Sequence, residues 1–496
     1  MTDLHPPEPT LNPSDQVFPT LTPAQIERVA THGRTREFVA DDVLLNAGEL
    51  AERFFVVISG RLEVVRPFRE SERLVAIHHP GQFTGETNML SGRPSFVRIR
   101  AMEAGQAIEL DREQLMALVQ TDSELSEILM RAFIMRRVEI VAQGFGDAVL
   151  IGSTHSPGTL RIKEFLTRNN HPYTYLDLDR DTEVQDLLDQ FAIGVDEIPV
   201  LICRGVTVLR NPTNEKIADC LGFNDAIDEV RVRDVIIVGA GPAGLAAAVY
   251  GASEGLDVLV LESSAPGGQA GSSSKIENYL GFPTGISGND LAAAAYAQAQ
   301  KFGAQLMIAK KAQRLSCDRK PFALELEDGT RLPGRVVIIA TGAEYRQLAV
   351  ESLSKFKGCG VYYGATFVES QVCAGEEVLI VGGGNSAGQA AVFLAQTARH
   401  VHLVVRGEGL TDTMSRYLIR RIEENPAITL RPHSEIIALD GTDHLEQVRW
   451  RDNKTGAEES HAIRHLFVMT GAVPGTHWLE GCLALDAKGF IKTGPD

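Results

Sequence analysis

The clearest pattern along the chain is an aliphatic run that enters a glycine turn and then an alanine-rich helix, and it occurs twice. Residues 235–238 (Val-Ile-Ile-Val) precede Gly239-Ala-Gly-Pro-Ala-Gly244, and residues 378–381 (Val-Leu-Ile-Val) precede Gly382-Gly-Gly-Asn-Ser-Ala387. Each run predicts a buried strand, and each turn has the spacing G-x-G-x-x-G or its alanine variant. Two Rossmann-like α/β units are therefore predicted.

Shorter hydrophobic patterns cover the first half of the chain. Residues 54–65 predict two strands about a turn at Ser59-Gly60, and residues 111–141 have apolar residues at helical spacing. Residues 149–179 predict a strand, a helix and a second strand, and residues 197–221 predict two more strands and a helix. The chain is therefore predicted to be multidomain.

Glycine turns of this kind let backbone N–H groups approach a diphosphate, and the next helix N-terminus adds partial positive charge. The residue that meets the adenosine ribose is expected about twenty positions further on. After the first turn it is Glu262, which suits the free hydroxyls of FAD or NAD; after the second it is Arg406, which suits a 2′-phosphate. We expect FAD at the first turn and NADPH at the second. The alternative for Arg406 is an ordinary surface cation.

Further motifs make a family resemblance specific. Gly267-Gly-Gln269, residues 276–283 and residues 338–342 precede the second turn in the order seen in low-molecular-weight thioredoxin reductases, which the chain resembles from Arg231 onward. The resemblance implies an FAD domain that is interrupted by an NADPH domain. The FAD contacts it implies are Gly239, Gly241, Pro242, Ala243, Gly244, Glu262, Gly268, Gln269, Asn278, Thr341 and Gly342. The NADPH contacts are Gly382, Gly384, Asn385, Ser386, Ala387 and Arg406.

One departure from that family changes the expected chemistry. The family carries Cys-x-x-Cys before the NADPH strand, whereas Gly364 and Phe367 occupy the two cysteine places here. Neither residue forms a thiolate, so flavin-to-dithiol transfer is not expected at this place. We expect Phe367 to lie near the flavin and shield it. Cys359 and Cys373 are expected to be small apolar residues, with a redox pair as the alternative.

A second departure concerns the end of the sequence. The resemblance implies a flavin-binding Pro-Gly-x-Phe/Tyr-Ala-x-Gly-Asp motif after the NADPH domain. The sequence ends at Gly494-Pro-Asp496 without that motif. We therefore expect an incomplete FAD domain, in which flavin retention depends on whether the fold is completed in another way.

The middle segment resembles thioredoxins and glutaredoxins, again without their sulfurs. Its strand and helix order is that of the fold, and Ile198-Pro199 occupies the place of the cis-proline beside the active site. The active-site position reads Ser156-Pro-Gly-Thr159 where the family has Cys-Pro-x-Cys. We expect a docking or spacer domain, with a thiol-independent redox or glutathione-binding role as the alternative.

The front segment resembles cyclic-nucleotide-binding domains, which implies a β-roll followed by a helical lid. Gly85 and Glu86 match the family's Phe-Gly-Glu motif, whose acid takes the ribose 2′-hydroxyl. Ser95 stands where an arginine neutralises the cyclic phosphate, and Arg93 or Arg98 is left as the possible substitute. Burial of an unpaired phosphate is costly, so cyclic AMP binding stays an open alternative.

The expected architecture is thus a β-roll, a thioredoxin-like α/β domain and two Rossmann-like domains. The expected boundaries are 1–16 (disordered leader), 17–143 (cyclic-nucleotide-binding-like), 146–226 (thioredoxin/glutaredoxin-like), 231–345 (FAD), 346–472 (NADPH) and 473–496 (return segment). A net charge of −17 argues against nucleic acid and anionic membranes as partners. No apolar run or basic leader indicates a membrane span or signal peptide. Six cysteines without close pairing fit a reducing cytoplasm, and no histidine has a metal-like spacing.

Three functions are open on these grounds. The first is an NADPH-dependent FAD oxidoreductase that passes electrons to an unidentified acceptor, which is a redox protein or a small molecule, under control of the front domain. The second is a nucleotide- or redox-sensing regulator with little turnover. The third is a thioredoxin-disulfide reductase that uses other cysteines. The family resemblance implies a homodimer in each case.

Overall fold

The computed structural model describes residues 16–68, 71–142, 147–154, 156–180, 197–273 and 275–494. We name its four units the front domain, the middle domain and the first and second dinucleotide domains. Residues 1–15, on which the leader was predicted, lie outside the described part, as does most of the segment between the second and third strands of the middle domain.

The front domain consists of two antiparallel sheets and two carboxyl-terminal helices. Strands β3 and β4 flank the turn at Ser59-Gly60 but join different sheets, ordered β1-β7-β3 and β2-β6-β4-β5. The turn therefore links two sheets and is not a hairpin. The helical segment divides at Asp122. The elements are α1 (Pro23–Ala30), β1 (Arg34–Phe38), β2 (Val43–Leu45), β3 (Arg53–Ser59), β4 (Leu62–Phe68), β5 (Ser71–His78), α2 (Asn88–Ser91), β6 (Arg98–Ala101), β7 (Gly105–Asp111), α3 (Arg112–Thr121) and α4 (Ser123–Ala142).

The middle domain is a four-stranded sheet ordered β11-β10-β8-β9. Strands β8 and β9 are parallel, while β10 is antiparallel to both β8 and β11. The first helix begins where Ser156 caps it and Pro157 fills the first position, whose N–H would have no helical partner. The Ile198–Pro199 peptide bond is cis. The elements are β8 (Ala148–Gly152), α5 (Pro157–Arg168), β9 (Tyr173–Asp177), β10 (Val200–Cys203), β11 (Thr207–Arg210) and α6 (Asn214–Leu221).

The first dinucleotide domain has a six-stranded sheet ordered β14-β13-β12-β17-β16-β15. Its first four strands in that order are parallel, and an antiparallel pair extends one edge. The elements are β12 (Arg233–Val238), α7 (Pro242–Ser253), β13 (Val258–Glu262), α8 (Gly268–Gly271), α9 (Gly288–Lys301), β14 (Gln305–Ile308), β15 (Ala312–Ser316), β16 (Phe322–Leu326) and β17 (Arg331–Ile339).

The second dinucleotide domain has a five-stranded parallel sheet ordered β19-β26-β20-β21-β22 and a three-stranded antiparallel sheet, β23-β24-β25. Strands β18 and β27, which enter and leave this domain, pair with each other and form the connection between the two dinucleotide domains. The elements are β18 (Ala343–Tyr345), β19 (Val361–Tyr362), α10 (Phe367–Val372), β20 (Glu377–Val381), α11 (Asn385–Leu394), β21 (His400–Val404), α12 (Arg416–Glu423), β22 (Ile428–Arg431), β23 (Ser434–Asp440), β24 (Gln447–Asp452), β25 (Glu458–His461), β26 (His465–Val468) and β27 (Ala472–Pro474).

The segment after β27 returns to the first dinucleotide domain. Trp478 and Leu479 are buried in the same cluster as Ile236 of strand β12. A disulfide joins Cys482 of this segment to Cys317, across 165 residues of sequence. The spacing of the cysteines along the chain did not indicate this pair, because the contact is made by a segment that returns from the second dinucleotide domain.

We expect the return segment to stabilise the first dinucleotide domain through Leu479. Leu479→Ala removes a side chain that is 0% exposed and should cost about 2–5 kcal/mol by lost transfer and a residual cavity. Differential scanning calorimetry should show a lower transition temperature. The matched control is Leu280→Ala, since Leu280 is 96% exposed. Equal transition temperatures for the two variants would contradict the packing role of the segment.

Candidate dinucleotide sites and the cavity between them

The first glycine turn is packed too closely for side chains at two of its three glycines. A Cβ at Gly239 would lie 2.3 Å from the Ala340 carbonyl oxygen, and Gly239 has a φ of +105°. A Cβ at Gly244 would lie 1.8 Å from the Gly239 carbonyl oxygen. These two positions thus let strand β17 and helix α7 approach the turn backbone.

The middle glycine of each turn is open instead. The only heavy atom within 4 Å of a Cβ at Gly241 is the Gly268 Cα at 3.9 Å, and nothing lies within 4 Å of a Cβ at Gly384. The residues that follow each, Pro242-Ala243 and Asn385-Ser386, are exposed at the start of an alanine-rich helix. Each turn is therefore an open cradle of the size and polarity that a diphosphate needs. Both turns fit the dinucleotides that the sequence predicts.

Glu262 closes the first turn from the end of strand β13. Its carboxylate accepts hydrogen bonds from the Ala240 and Ser264 backbone N–H groups, both at 2.8 Å. Burial raises the pKa of this carboxyl, and these bonds act in the opposite direction. The acid predicted to meet the ribose is thus fixed against the turn and retains further lone pairs for hydroxyl donors.

The second turn has a cation beside it. A Cβ at Gly382 would lie 2.2 Å from the Met469 carbonyl oxygen, and one at Gly383 would lie 3.6 Å from Val405 Cγ1. Arg406, the next residue, is exposed, and it forms no ion pair within the described part of the chain. Asn385 accepts a hydrogen bond from the Ser415 N–H at 2.7 Å. Asn385 therefore orders the neighbouring loop, while the Arg406 guanidinium is available to an anion.

A cavity of about 220 Å³ lies between the two dinucleotide domains. Its wall combines the loop after Glu262, the start of helix α11 and the segment that carries Gly364. A Cβ at Gly364 would lie 3.9 Å from Ser272 Cβ. Gly364, which stands at the family's first cysteine position, therefore faces this loop with room for a side chain. The residues that line the cavity are Gln269, Ala270, Ser272, Ser273, Tyr345, Gly364, Ala365, Ser386, Gln389, Ala390 and Met469.

The structure brings some predicted residues to this cavity and leaves others outside it. Gln269 and Ser386 line it, and the Gln269 amide donates to the Ala343 carbonyl at the connection between the domains. Thr341 and Gly342 lie against Gly475 of the return strand. Asn278 is exposed and does not line the cavity.

Tyr345 and Gln389 are two polar residues of the cavity wall that the sequence analysis did not single out. Tyr345 follows the Thr341-Gly342 motif at the domain connection, and Gln389 lies one helical turn after Ser386. Only the helical spacing from Ser386 could have identified Gln389. The side chain of Phe367 is outside the described part, so its predicted place near the flavin stays a prediction.

The two remaining thiols of this region are buried. Cys359 donates to the Lys355 carbonyl oxygen and Cys373 to the Ser370 carbonyl oxygen. Burial raises the pKa of Cys359, and it raises that of Cys373 to about 12. A thiolate is therefore disfavoured at both, and neither residue lines the cavity.

The front domain holds a second cavity, of about 100 Å³, within its β-roll. Gly85 and Glu86 line it, but Glu86 also pairs with Arg137 at 3.5 Å. The Ser95 hydroxyl donates to the Val97 carbonyl oxygen.

Neither arginine considered for the phosphate faces this cavity. Arg93 is buried over the ring of Phe223 and donates to the Tyr296 hydroxyl, which belongs to helix α9 of the first dinucleotide domain. Arg98 pairs with Glu72. The expectation that Arg93 or Arg98 replaces the missing phosphate ligand is therefore wrong. Buried Arg136 lines the cavity and donates to the Gly85 carbonyl oxygen at 2.8 Å.

Comparisons with known proteins define the class. Residues 233–495 match the pyridine nucleotide-disulphide oxidoreductase family, and residues 35–122 match the cyclic nucleotide-binding domain. Because the first match covers more than half of the chain, the chain belongs to the pyridine nucleotide-disulphide oxidoreductases. The predicted enzyme class and the predicted cofactors, FAD and NADPH, are confirmed at this level.

Two similar proteins are named as thioredoxin reductases, which narrows the comparison within the family. The chain is 34% identical over 261 residues to a thioredoxin reductase from Mycolicibacterium smegmatis, covering 53% of this chain and 82% of that protein. It is 31% identical to NADPH-dependent thioredoxin reductase 3 from Arabidopsis thaliana, covering 58% of this chain and 57% of that protein. The chain thus spans little more than half the length of this second relative.

Solved structures give the same picture. The crystal structure of Lactococcus lactis thioredoxin reductase is 27% identical, with a TM-score of 0.50, and covers 53% of this chain and 85% of that one. The crystal structure of T. acidophilum thioredoxin reductase is also 27% identical, with a TM-score of 0.50, and covers 53% of this chain and 84% of that one. In the described residues, no helix has the length and apolarity needed to cross a membrane, and no cluster of side chains suits a metal ion.

We expect alanine substitutions at Gly241 and Gly384 to weaken cofactor binding without destabilising the fold. Gly241→Ala should weaken FAD binding and Gly384→Ala NADPH binding, each by at least about tenfold, because a methyl group would occupy the diphosphate cradle. Neither methyl meets a close atom in the protein alone, so thermal stability should be retained. Fluorescence titration with each nucleotide measures the effect. Each variant is the control for the other, and a loss of both affinities in one variant would argue against two separate sites.

Proposed function

We propose that the chain is an NADPH-dependent FAD oxidoreductase of thioredoxin reductase type that delivers electrons to an acceptor without a resident dithiol. The observation that carries the proposal is the cavity shared by both dinucleotide domains, whose wall has Gly364 at the first cysteine place. When bound, FAD would accept a hydride from NADPH and pass the two electrons to the acceptor. The protein residues contribute binding, orientation and the exclusion of competing contacts.

The proposed roles of the site residues follow from their placement. The FAD diphosphate would lie at Gly241, Pro242 and Ala243, and the ribose at Glu262. Gln269 and Tyr345 line the cavity between the two dinucleotide domains. Gly384, Asn385 and Ser386 receive the NADPH diphosphate, with Arg406 on the 2′-phosphate. Asn278 stays a proposed FAD contact on the resemblance alone.

The middle domain bears on the choice of acceptor. We propose a thioredoxin-like fold for it, which its strand order and the cis Ile198–Pro199 bond support. The start of helix α5 packs on the segment in which the resembled family has its Cys-x-x-Cys. A Cβ at Gly358 of this segment would be 3.1 Å from Pro157 Cβ. Leu160 shares a core cluster with Ala365. Because this thiol-less domain covers that face, the acceptor in this proposal is a small molecule and not a docked thioredoxin.

A sensing role is the second candidate, and one contact favours it. Arg137 of helix α4 pairs with Glu86 in the front cavity and donates to the Asn170 carbonyl oxygen of the middle domain at 2.6 Å. A ligand hydroxyl that bound Glu86 would compete with Arg137 for that carboxylate. Control by the front domain, cytoplasmic location and a homodimer belong to the proposal as well. The buried Cys359 and Cys373 speak against the third candidate, reduction of thioredoxin through other cysteines.

The primary test is an anaerobic stopped-flow mixture of the FAD-loaded chain with NADPH, followed by the visible flavin spectrum. We expect rapid bleaching, faster with NADPH than with NADH. Quinones and small disulfides should then be compared as acceptors, with thioredoxin as the control. A flavin that stays oxidised would reject the reductase and favour the sensor, whereas efficient turnover with thioredoxin would reject the small-molecule acceptor.

We expect Arg406 to determine the choice of nucleotide. Arg406→Gln should weaken NADPH binding by about 10- to 100-fold and leave NADH binding unchanged, because charge-assisted hydrogen bonds to the 2′-phosphate are lost. Binding is measured by titration with the oxidised nucleotides. Arg399→Gln is the matched control, since Arg399 precedes the same strand and is paired with Glu377. Unchanged NADPH binding in Arg406→Gln would make Arg406 an ordinary surface cation, and an equal loss for both nucleotides would place it on a part that they share.

A further inference from the structure

The middle domain also contacts the FAD side of the molecule, at the loop that follows Glu262. Arg168 is the last residue of helix α5, and its Nη2 donates to the Gly268 carbonyl oxygen at 2.7 Å. The next residue, Asn169, donates to the Ser264 carbonyl oxygen at 3.3 Å. The end of one helix therefore holds the loop at two backbone carbonyl groups.

That loop forms one side of the first dinucleotide cradle. A Cβ at Gly268 would lie 3.1 Å from the Gly241 Cα, so the loop backbone packs directly on the middle glycine of the turn. A Cβ at Gly271 would lie 4.0 Å from Arg168 Nη2. The Arg168 guanidinium is thus separated from the cradle by one layer of glycine backbone.

The guanidinium of Arg168 has one unsatisfied donor. Its side chain is 18% exposed and pairs with Glu164 at 3.5 Å, and its charge also lowers the pKa of the Glu262 carboxyl at the same cradle. Its Nε–H is buried and has no hydrogen-bond partner among the described residues. An unsatisfied buried donor on a cation favours a nearby anion.

Docking of the middle domain has contacts besides those of Arg168. The Asn224 side chain bonds both the N–H and the carbonyl of Ile308, at 2.7 and 2.9 Å. Lys310 pairs with Glu215 at 2.8 Å. These contacts also hold the middle domain against the first dinucleotide domain, so a substitution of Arg168 leaves part of the interface in place.

We propose that Arg168, a residue of the middle domain, is an FAD-binding residue: it holds the Gly267–Gly268 loop against the glycine turn and brings positive charge to the place that receives the diphosphate. The FAD site is then shared between two domains. The middle domain then has a function that needs no thiol. Through Arg168 it contributes to FAD affinity from outside the first dinucleotide domain. The inference requires FAD binding but not the proposed acceptor chemistry.

The test is FAD affinity of the full chain, measured without NADPH by flavin fluorescence and by equilibrium dialysis at several salt concentrations. Arg168→Met should weaken FAD binding by about tenfold and reduce its salt dependence, and Arg168→Lys should restore part of both. Arg161→Met is the matched control, because Arg161 lies on the same helix and bonds Asn214 instead. Wild-type FAD affinity in Arg168→Met would overturn the proposal.

A second variant keeps the test independent of folding. Glu164→Gln removes the carboxylate that competes for Arg168 and should tighten FAD binding by about twofold, with the fold intact. If Arg168→Met does not fold, an unchanged FAD affinity in Glu164→Gln overturns the proposal. Since no NADPH is present, an enzyme that binds FAD normally but is not reduced by NADPH counts against the proposed function and not against this inference.

Discussion

Close backbone approach at the Gly267–Gly271 loop is the constraint on which the arrangement of the domains depends. A Cβ at Gly267 would lie 2.4 Å from Ala292 Cβ of helix α9, and one at Gly288 would lie 1.9 Å from the Ala270 carbonyl oxygen. The other side of the loop meets the glycine turn and the end of helix α5. Helix α9 also carries Tyr296, which is bonded to Arg93 of the front domain. The loop therefore contacts the middle domain directly and is connected to the front domain through α9.

The two segments that lack the cysteines of the resembled families lie close together in space, although they are far apart in sequence. The Ser156–Thr159 turn stands at the start of helix α5, and that end of the helix lies on the segment between Gly358 and helix α10. The Thr159 hydroxyl is buried without a hydrogen-bond partner, at the place where the resembled family has its second cysteine. Leaving a hydroxyl unpaired costs about 1–3 kcal/mol, which a thiol of similar size would largely avoid. The two segments that lack the cysteines of the resembled families therefore lie against each other, and neither provides a thiol at those places.

Local motifs carried most of the correct sequence inference. The two strand–turn–helix units could be predicted because a diphosphate fixes backbone spacing over a few residues, while the ligand contacts of Glu262 and Arg406 stay predictions. Contacts between distant segments were not predicted. The turn at Ser59-Gly60 links two sheets because each strand has its partner elsewhere, and the Cys317–Cys482 bond depends on a segment that returns from another domain. No periodicity encodes such contacts.

Arg93 illustrates how the same tertiary packing decides between ligand binding and structure. As a sequence position it is a candidate for a phosphate, but its guanidinium is 4.3 Å from the Phe223 ring centroid and bonded to Tyr296. Withdrawing it into the front cavity would remove both contacts and leave a void between three domains, a cost that one phosphate contact would have to exceed. Arg136 needs no such withdrawal, since it already lines the cavity. Glu86, which also lines the front cavity, pairs with Arg137, and Arg137 in turn donates to the carbonyl oxygen of Asn170 in the middle domain.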